Sequence, residues 1–420
     1  MNKLGHFIAS LFSFEMLLVL FLSAGRFKGD PRFAWVPVDI TGLFLVLSMA
    51  AGVYIIIYKD LFFLFEAVKL NFIYFIFVGY VLLSFLWTPG VEYAGEKGLH
   101  IATLVFWPLL ACSIFVSTRT GRLKRFLTLF VLLSCWIAIE TFIAYQQAGG
   151  GMITALGGGY LGIGRVLGPA ALIALGYILY FSESSVIKLL GVALIGFLLY
   201  LLFVVGGRGP LLATLIPISI LLAASITFES ATAVWVKKSF SFLAAVVVIA
   251  IISMVYMMNQ EDAPATLHRL ELLLETSDGV GASAQARLSY YAASIELWIK
   301  QPFFGYGVGS WPVLVQGIDV RGYPHNIILE TLFEYGIFGM AILTALFVFA
   351  LRHLGSWATI KASPYRLIIL MLFANALLNA FVSGDISDNR FLFATLGLMM
   401  LPEPTAETEE QPREYAMEYG

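Results

Sequence analysis

The chain has 420 residues, 60% of them hydrophobic and only 12% charged, with a formal net charge of −2. A soluble protein carries about a quarter charged residues, so this composition excludes one, and the near-neutral balance gives no reason to expect a nucleic-acid partner. Apolar runs of about 17–20 residues recur from end to end, each long enough to cross a hydrocarbon core, and they are continuous rather than alternating, which excludes a β-barrel.

Runs and breakers predict spans near 8–24, 40–58, 70–87, 99–117, 126–145, 166–181, 187–205, 210–227, 240–257, 327–351, 366–383 and 390–401. The fold class is therefore an all-α polytopic membrane protein of about twelve transmembrane helices. Gly206-Gly207-Arg208-Gly209-Pro210 divides the seventh run from the eighth, and Gly150-Gly151 with Gly157-Gly158-Gly159 reads as a flexible loop before the sixth. The chain thus divides into a bundle over 1–257, a long loop over 258–326, three more spans over 327–401 and an acidic tail over 402–420. No internal repeat stands out, which weighs against a transporter built from duplicated halves. Cys112 and Cys135 fall inside apolar runs and imply no disulfide framework or thiolate metal site. The first run, with Glu15 inside it, continues into the bundle and does not read as a cleavable signal.

Lys and Arg in the short connections set the orientation. With the N-terminus cytoplasmic, the inner connections carry roughly twice the cations of the outer ones, which hold Arg26, Lys28, Arg32, Lys97, Arg165, Arg208 and Arg390. Both termini are then inside, and span parity puts the long loop outside, the periplasmic side of a bacterial inner membrane.

The residues able to do chemistry concentrate between Ser283 and Glu330. His325 follows Pro324 at the start of an apolar helix, where free N–H groups and the positive helix end disfavour imidazolium and favour a neutral ring able to take a proton. His325 or Asn326 can equally serve only to cap that helix. No histidine pairs with a carboxylate at a metal-binding spacing, and no metal is expected. Arg287 lies on a segment that Ser283 caps, where Leu288, Tyr291, Ala292, Ile295 and Trp298 or Ile299 give an apolar face for the membrane or the bundle, and where Tyr290 and Tyr291 flank the arginine. A solvated, snorkelling arginine is the plain alternative.

Arg208 in GGRGP and Arg165 in GIGRVLGP each follow glycine and precede a Gly-Pro helix start. Guanidinium forks suit phosphate, and lipid-headgroup anchoring is the alternative for both. SGDISDNR offers Asp385 and Asp388, either to orient an arginine or hydroxyl or simply to form a turn. Glu92, Glu96 and Lys97 form a further outer cluster of lower value, while Glu15, Glu66 and Glu140 lie in or beside apolar runs, where a buried carboxylate is expected to pair or to function.

In order, the chain presents Arg208-Gly209-Pro210, an Arg287-led helix, Pro302 with Gly305 and Gly307, His325-Asn326, and Glu334-Tyr335-Gly336. This pattern resembles the O-antigen ligase family, within the superfamily that also holds O-antigen polymerases and protein O-oligosaccharyltransferases. The resemblance implies a fold like the C-type glycosyltransferases, with helices in the periplasmic loop, and an inverting, metal-independent transfer without cofactor. Its donor would be O-antigen polysaccharide on undecaprenyl diphosphate, and its acceptor a sugar of lipid A–core, both reached from the membrane lipids. His325 then matches the base, Arg208 and Arg287 the diphosphate arginines, and a late aspartate, Asp385 or Asp388, is expected to matter. Arg165, Asn326 and Tyr291 join the substrate-binding set from the residue reading alone. A lipid-linked-sugar flippase is the rival from another class.

Overall fold

The computed structural model describes residues 13–59, 62, 64–148, 151–230, 233–236 and 282–402. Its helices begin with the ten-residue α1 (Phe14–Ser23), followed by the membrane helices α2 (Ile40–Tyr58), α3 (Phe65–Leu83), α4 (Glu92–Val116), α5 (Thr120–Ala148), α6 (Tyr160–Tyr180), α7 (Ser185–Val204) and α8 (Arg208–Ser225). A short hairpin, β1 (Ile226–Ser230) with β2 (Ala233–Val236), follows. Then come α9 (Ala282–Lys300), α10 (Ile327–Leu354), the short α11 (Trp357–Ala362), α12 (Pro364–Val382) and α13 (Arg390–Leu398). Among the described residues nine helices are long and apolar enough to cross a membrane. The expected span at 240–257, the first part of the long loop and the acidic tail lie outside the described residues.

Hydropathy and burial run opposite to a soluble protein. The helices α2 and α7, with mean hydropathies of 2.4 and 2.5, are among the least buried, whereas α6, at 1.6, is the most buried. Lipid solvates the apolar helices, so the centre is selected for close approach, not greasiness. In α6, added Cβ atoms at Gly164, Gly168 and Gly176 would stand 2.6 Å from Pro210, 2.2 Å from Thr214 and 2.5 Å from Ile368. The glycine before Arg165 therefore serves the crossing of α6 with α8, and Arg165 lies inside α6 rather than at a helix start. Pairwise packing of α8 with α12, α3 with α10, α13 with α4 and α1 with α2 and α5 completes the bundle.

Two more expectations change. Gly157 to Gly159 is a packed turn, not a flexible loop: a Cβ on Gly157 would stand 2.3 Å from the backbone of Gly29, and one on Gly158 2.6 Å from the Arg26 carbonyl. The expected cap Ser283 falls inside α9, which spans Ala282–Lys300 among the described residues. Glu15, Glu66 and Glu140 do pair, with Arg122 and Arg125, with Lys69 and with Arg32.

The Pro302–Gly307 element and the Glu-Tyr-Gly element explain each other. Gly336 takes φ 62° and ψ −163°, breaking α10 and freeing backbone groups on both sides of the break. The loop then exchanges hydrogen bonds with them. Tyr306 and Gly307 donate to the carbonyls of Phe333 and Glu334 at 2.9 and 2.8 Å, and Ile337 donates to the Pro302 carbonyl at 2.8 Å. A Cβ on Gly336 would stand 2.2 Å from the Phe303 carbonyl oxygen. Gly336→Ala is therefore expected to cost about 1–3 kcal/mol, from backbone clash and left-handed strain together, read as a lower midpoint for thermal aggregation in detergent.

Candidate functional site

The polar groups gather at one end of the bundle, where α1, α3 and α12 end and α4, α6, α8, α10 and α13 begin. Asn326 caps α10, accepting from the N–H groups of Ile328 and Leu329 at 3.0 and 3.1 Å and donating to the Phe381 carbonyl at 3.2 Å. The capping role thus falls to Asn326 and leaves the ring before it free. His325 holds φ 62°, a left-handed conformation that histidine tolerates better than most side chains. Its ring lies parallel to Tyr290, with centroids 6.5 Å apart, and meets Tyr323 at 4.6 Å. Nδ1 is buried without a hydrogen-bond partner. Burial first, then the charges of Arg287 and Arg165, push the His325 pKa down to about 4. The ring is neutral at physiological pH.

Arg287 on α9 and Arg208 at the first turn of α8 line one cleft, with Tyr160, Gly209, Val382 and Ser383. Two arginines more than seventy residues apart in sequence thus face the same space, and one of them biases the histidine. Arg165 stands behind this cleft, donating to the carbonyls of Asn379, at 3.3 Å, and Ser383. Its guanidinium rests where a Cβ on Gly384 would lie, 2.9–3.0 Å away. The α9 ring that packs on His325 belongs to Tyr290, which is itself held edge-on by the buried Trp311. The apolar face read on α9 turns away from the protein: Leu288, Ile295 and Ile299 are exposed, while Ser294 is buried and accepts from the Trp311 indole.

The two late aspartates have different positions. Asp385 is fully buried and forms the corner, accepting from Ser387, from the Asp388 N–H and from the Tyr93 hydroxyl. Asp388 faces the neighbouring clefts and takes an ion pair from Arg321. Arg321 in turn lies 5.6 Å over the Tyr323 ring. His325, Tyr323, Arg321 and Asp388 form a continuous line of contact, and Arg321 was no candidate in the sequence.

Beneath this line is a group that the sequence ranked low. Lys97 is completely buried and bridges Glu330 and Glu334, the latter at 2.7 Å. Glu330 also accepts from the Ile386 N–H at 3.1 Å, so the bridge holds the 385–388 corner against α10. Asp319 adds a second tie, accepting from the N–H groups of Val91, Glu92 and Tyr93 at 2.8–3.2 Å, and these donors hold its carboxyl below the usual range. In the sequence Lys97 looks like part of an outer loop cluster because the apolar run starts at 99, whereas α4 begins at Glu92 and carries the lysine inside the bundle. Among the described residues no three His, Cys, Asp or Glu side chains gather as a metal set.

The apolar helices define a multi-pass membrane protein, and one end of the bundle holds a buried lysine and a neutral histidine beside two arginines. Residues 170–344 match the family model described as O-antigen ligase. The match takes in Arg208, Arg287 and His325 and ends before Asp385. No curated protein matches the chain.

Proposed function

We propose that the protein is an O-antigen ligase, moving polysaccharide from undecaprenyl diphosphate to a sugar hydroxyl of lipid A–core at the periplasmic face of a bacterial inner membrane. The observation that carries this is the shared cleft of Arg208 and Arg287 beside the neutral His325 ring. A sugar hydroxyl attacks only as its proton leaves, and a neutral imidazole can accept that proton. The departing lipid diphosphate develops charge that two guanidinium groups are suited to neutralise. Attack from the face opposite the diphosphate inverts the anomeric carbon and needs no covalent enzyme intermediate. Asp388, through Arg321 and Tyr323, steadies the histidine from the acceptor side.

Purified protein supplied with donor and acceptor on the same side of the membrane should form the ligated product. A flippase would form none. Loss of the gene should leave bare core with lipid-linked chains still built, whereas loss of a polymerase leaves single-repeat decoration. Arg208→Lys keeps the charge but not the fork, and is expected to lower kcat/KM about ten- to hundredfold. Unchanged transfer would reduce Arg208 to an anchor.

A further inference from the structure

A second, larger cleft opens on the other side of the Arg321–Asp388 pair. It holds about 1810 Å³ of open space between the turn after α1, the first turn of α2, the first half of α4 and the corner before α13. Leu22, Leu45, Leu104 and Phe391 give it an apolar floor, and Leu99, 62% exposed, leads out to the lipid side. Its rim carries four cations, Arg26, Lys28, Arg321 and Arg390, against Asp39, Glu96 and Asp388.

These charges do not cancel. Lys28 pairs with Asp39 at 2.7 Å, and Arg321 pairs with Asp388. Arg26 and Arg390 have no ion pair among the described residues. Nε of Arg26 and one terminal nitrogen of Arg390 are shut off from solvent without a hydrogen-bond partner. Arg390 lies 5.5 Å over the Phe21 ring, and Gly162 leaves the room that the Arg26 guanidinium occupies. Burial first, then the neighbouring Arg165, push Arg26 down to about 10, with Asp388 opposing them. Guanidinium groups set in apolar surroundings with unused donors are a costly arrangement that an entering anion relieves.

We infer that this cleft binds the phosphate of the acceptor lipid between Arg26 and Arg390, with the lipid's apolar part on the Leu22–Leu45–Phe391 floor. The inference rests on the ligase reading for the identity of the occupant. It separates the two substrates: the diphosphate donor lies on Arg208 and Arg287, the acceptor's phosphate on Arg26 and Arg390, and His325 lies between them, joined to the acceptor side through Tyr323 and Arg321. Both lipids can then be held at once, each by its own pair of guanidinium groups.

Direct binding tests this without any transfer, so it can succeed where the ligase reading fails. Full-length protein in nanodiscs is titrated with phosphorylated lipid A–core, with the same lipid after phosphatase treatment, and with phosphatidylglycerol. The phosphorylated acceptor should bind at least about tenfold more tightly than the other two. Arg26→Gln with Arg390→Gln should weaken the phosphorylated form about ten- to hundredfold and leave the dephosphorylated form and undecaprenyl diphosphate unchanged. Gly42→Trp provides a variant without charge loss, because a Cβ at Gly42 meets nothing within 4 Å and the indole would fill the cleft. It should weaken both acceptor forms equally. Equal loss of both forms in the arginine variant, no loss in Gly42→Trp, or phosphatidylglycerol binding as well as the acceptor would each overturn the assignment.

Discussion

His325→Asn is expected to leave a folded protein that transfers about 10²–10⁴-fold more slowly. Asparagine is chosen because it tolerates the left-handed backbone that residue 325 adopts, so the loss isolates the ring rather than the turn. The pH profile carries the sharper test. With the ring pushed down to about 4, the rate should stay level from about pH 8 to pH 5 and fall only as the ring takes a proton near 4. An ordinary histidine would lose activity with a midpoint near 6.5. The same depression has a stability consequence. Between pH 6.5 and about 4 the unfolded chain binds a proton that the folded chain does not, so acidification through that window lowers stability. A rate midpoint near 6.5 would show that water reaches the ring and that burial does not set its charge.

Lys97→Met is expected to be among the most damaging substitutions in the chain, costing about 3–5 kcal/mol, since it leaves Glu330 and Glu334 buried without their shared cation. The damage should reach the site, because Glu330 holds the Ile386 N–H and with it the corner that presents Asp388 to Arg321. Adding Glu330→Gln and Glu334→Gln to Lys97→Met removes the stranded charges and should recover most of the stability. Recovery of the monomer peak on size exclusion after heating, for wild type, single and triple variants, measures both effects. A single variant as stable as wild type would mean that water or lipid headgroups already reach the lysine.

The short glycine- and arginine-bearing motifs divide between a backbone joint and a cleft in a way that the residues alone do not reveal. Pro302, Gly305, Gly307 and Gly336 form one joint, in which a broken helix and a tight loop satisfy each other's backbone groups. Arg208 and Arg287 are the part that lines a cleft, and His325 stacks on Tyr290 of the same helix as Arg287. Both parts have the same glycine-rich, polar look in sequence, because a polypeptide that leaves helical geometry near a membrane must pair its backbone whether or not a substrate is present.

Much of the architecture is determined locally and was readable residue by residue. Apolar run length defines a span, glycine and proline interrupt it, and a lone histidine before a capping asparagine announces a helix start. These signals hold for neighbours in sequence. They marked the helix starts at Arg208 and after Asn326, and with them the division between the seventh and eighth spans. Tertiary structure alone decided which distant groups share a space. It placed Arg208 with Arg287, turned Tyr290 toward the histidine, put Asp388 on the clefts and Asp385 in the corner, and buried Lys97 between two glutamates more than two hundred residues away. The physical reason is that charge in a low-dielectric bundle is tolerated only where helices from remote parts of the chain bring its partner, and one sequence read alone carries no record of that pairing.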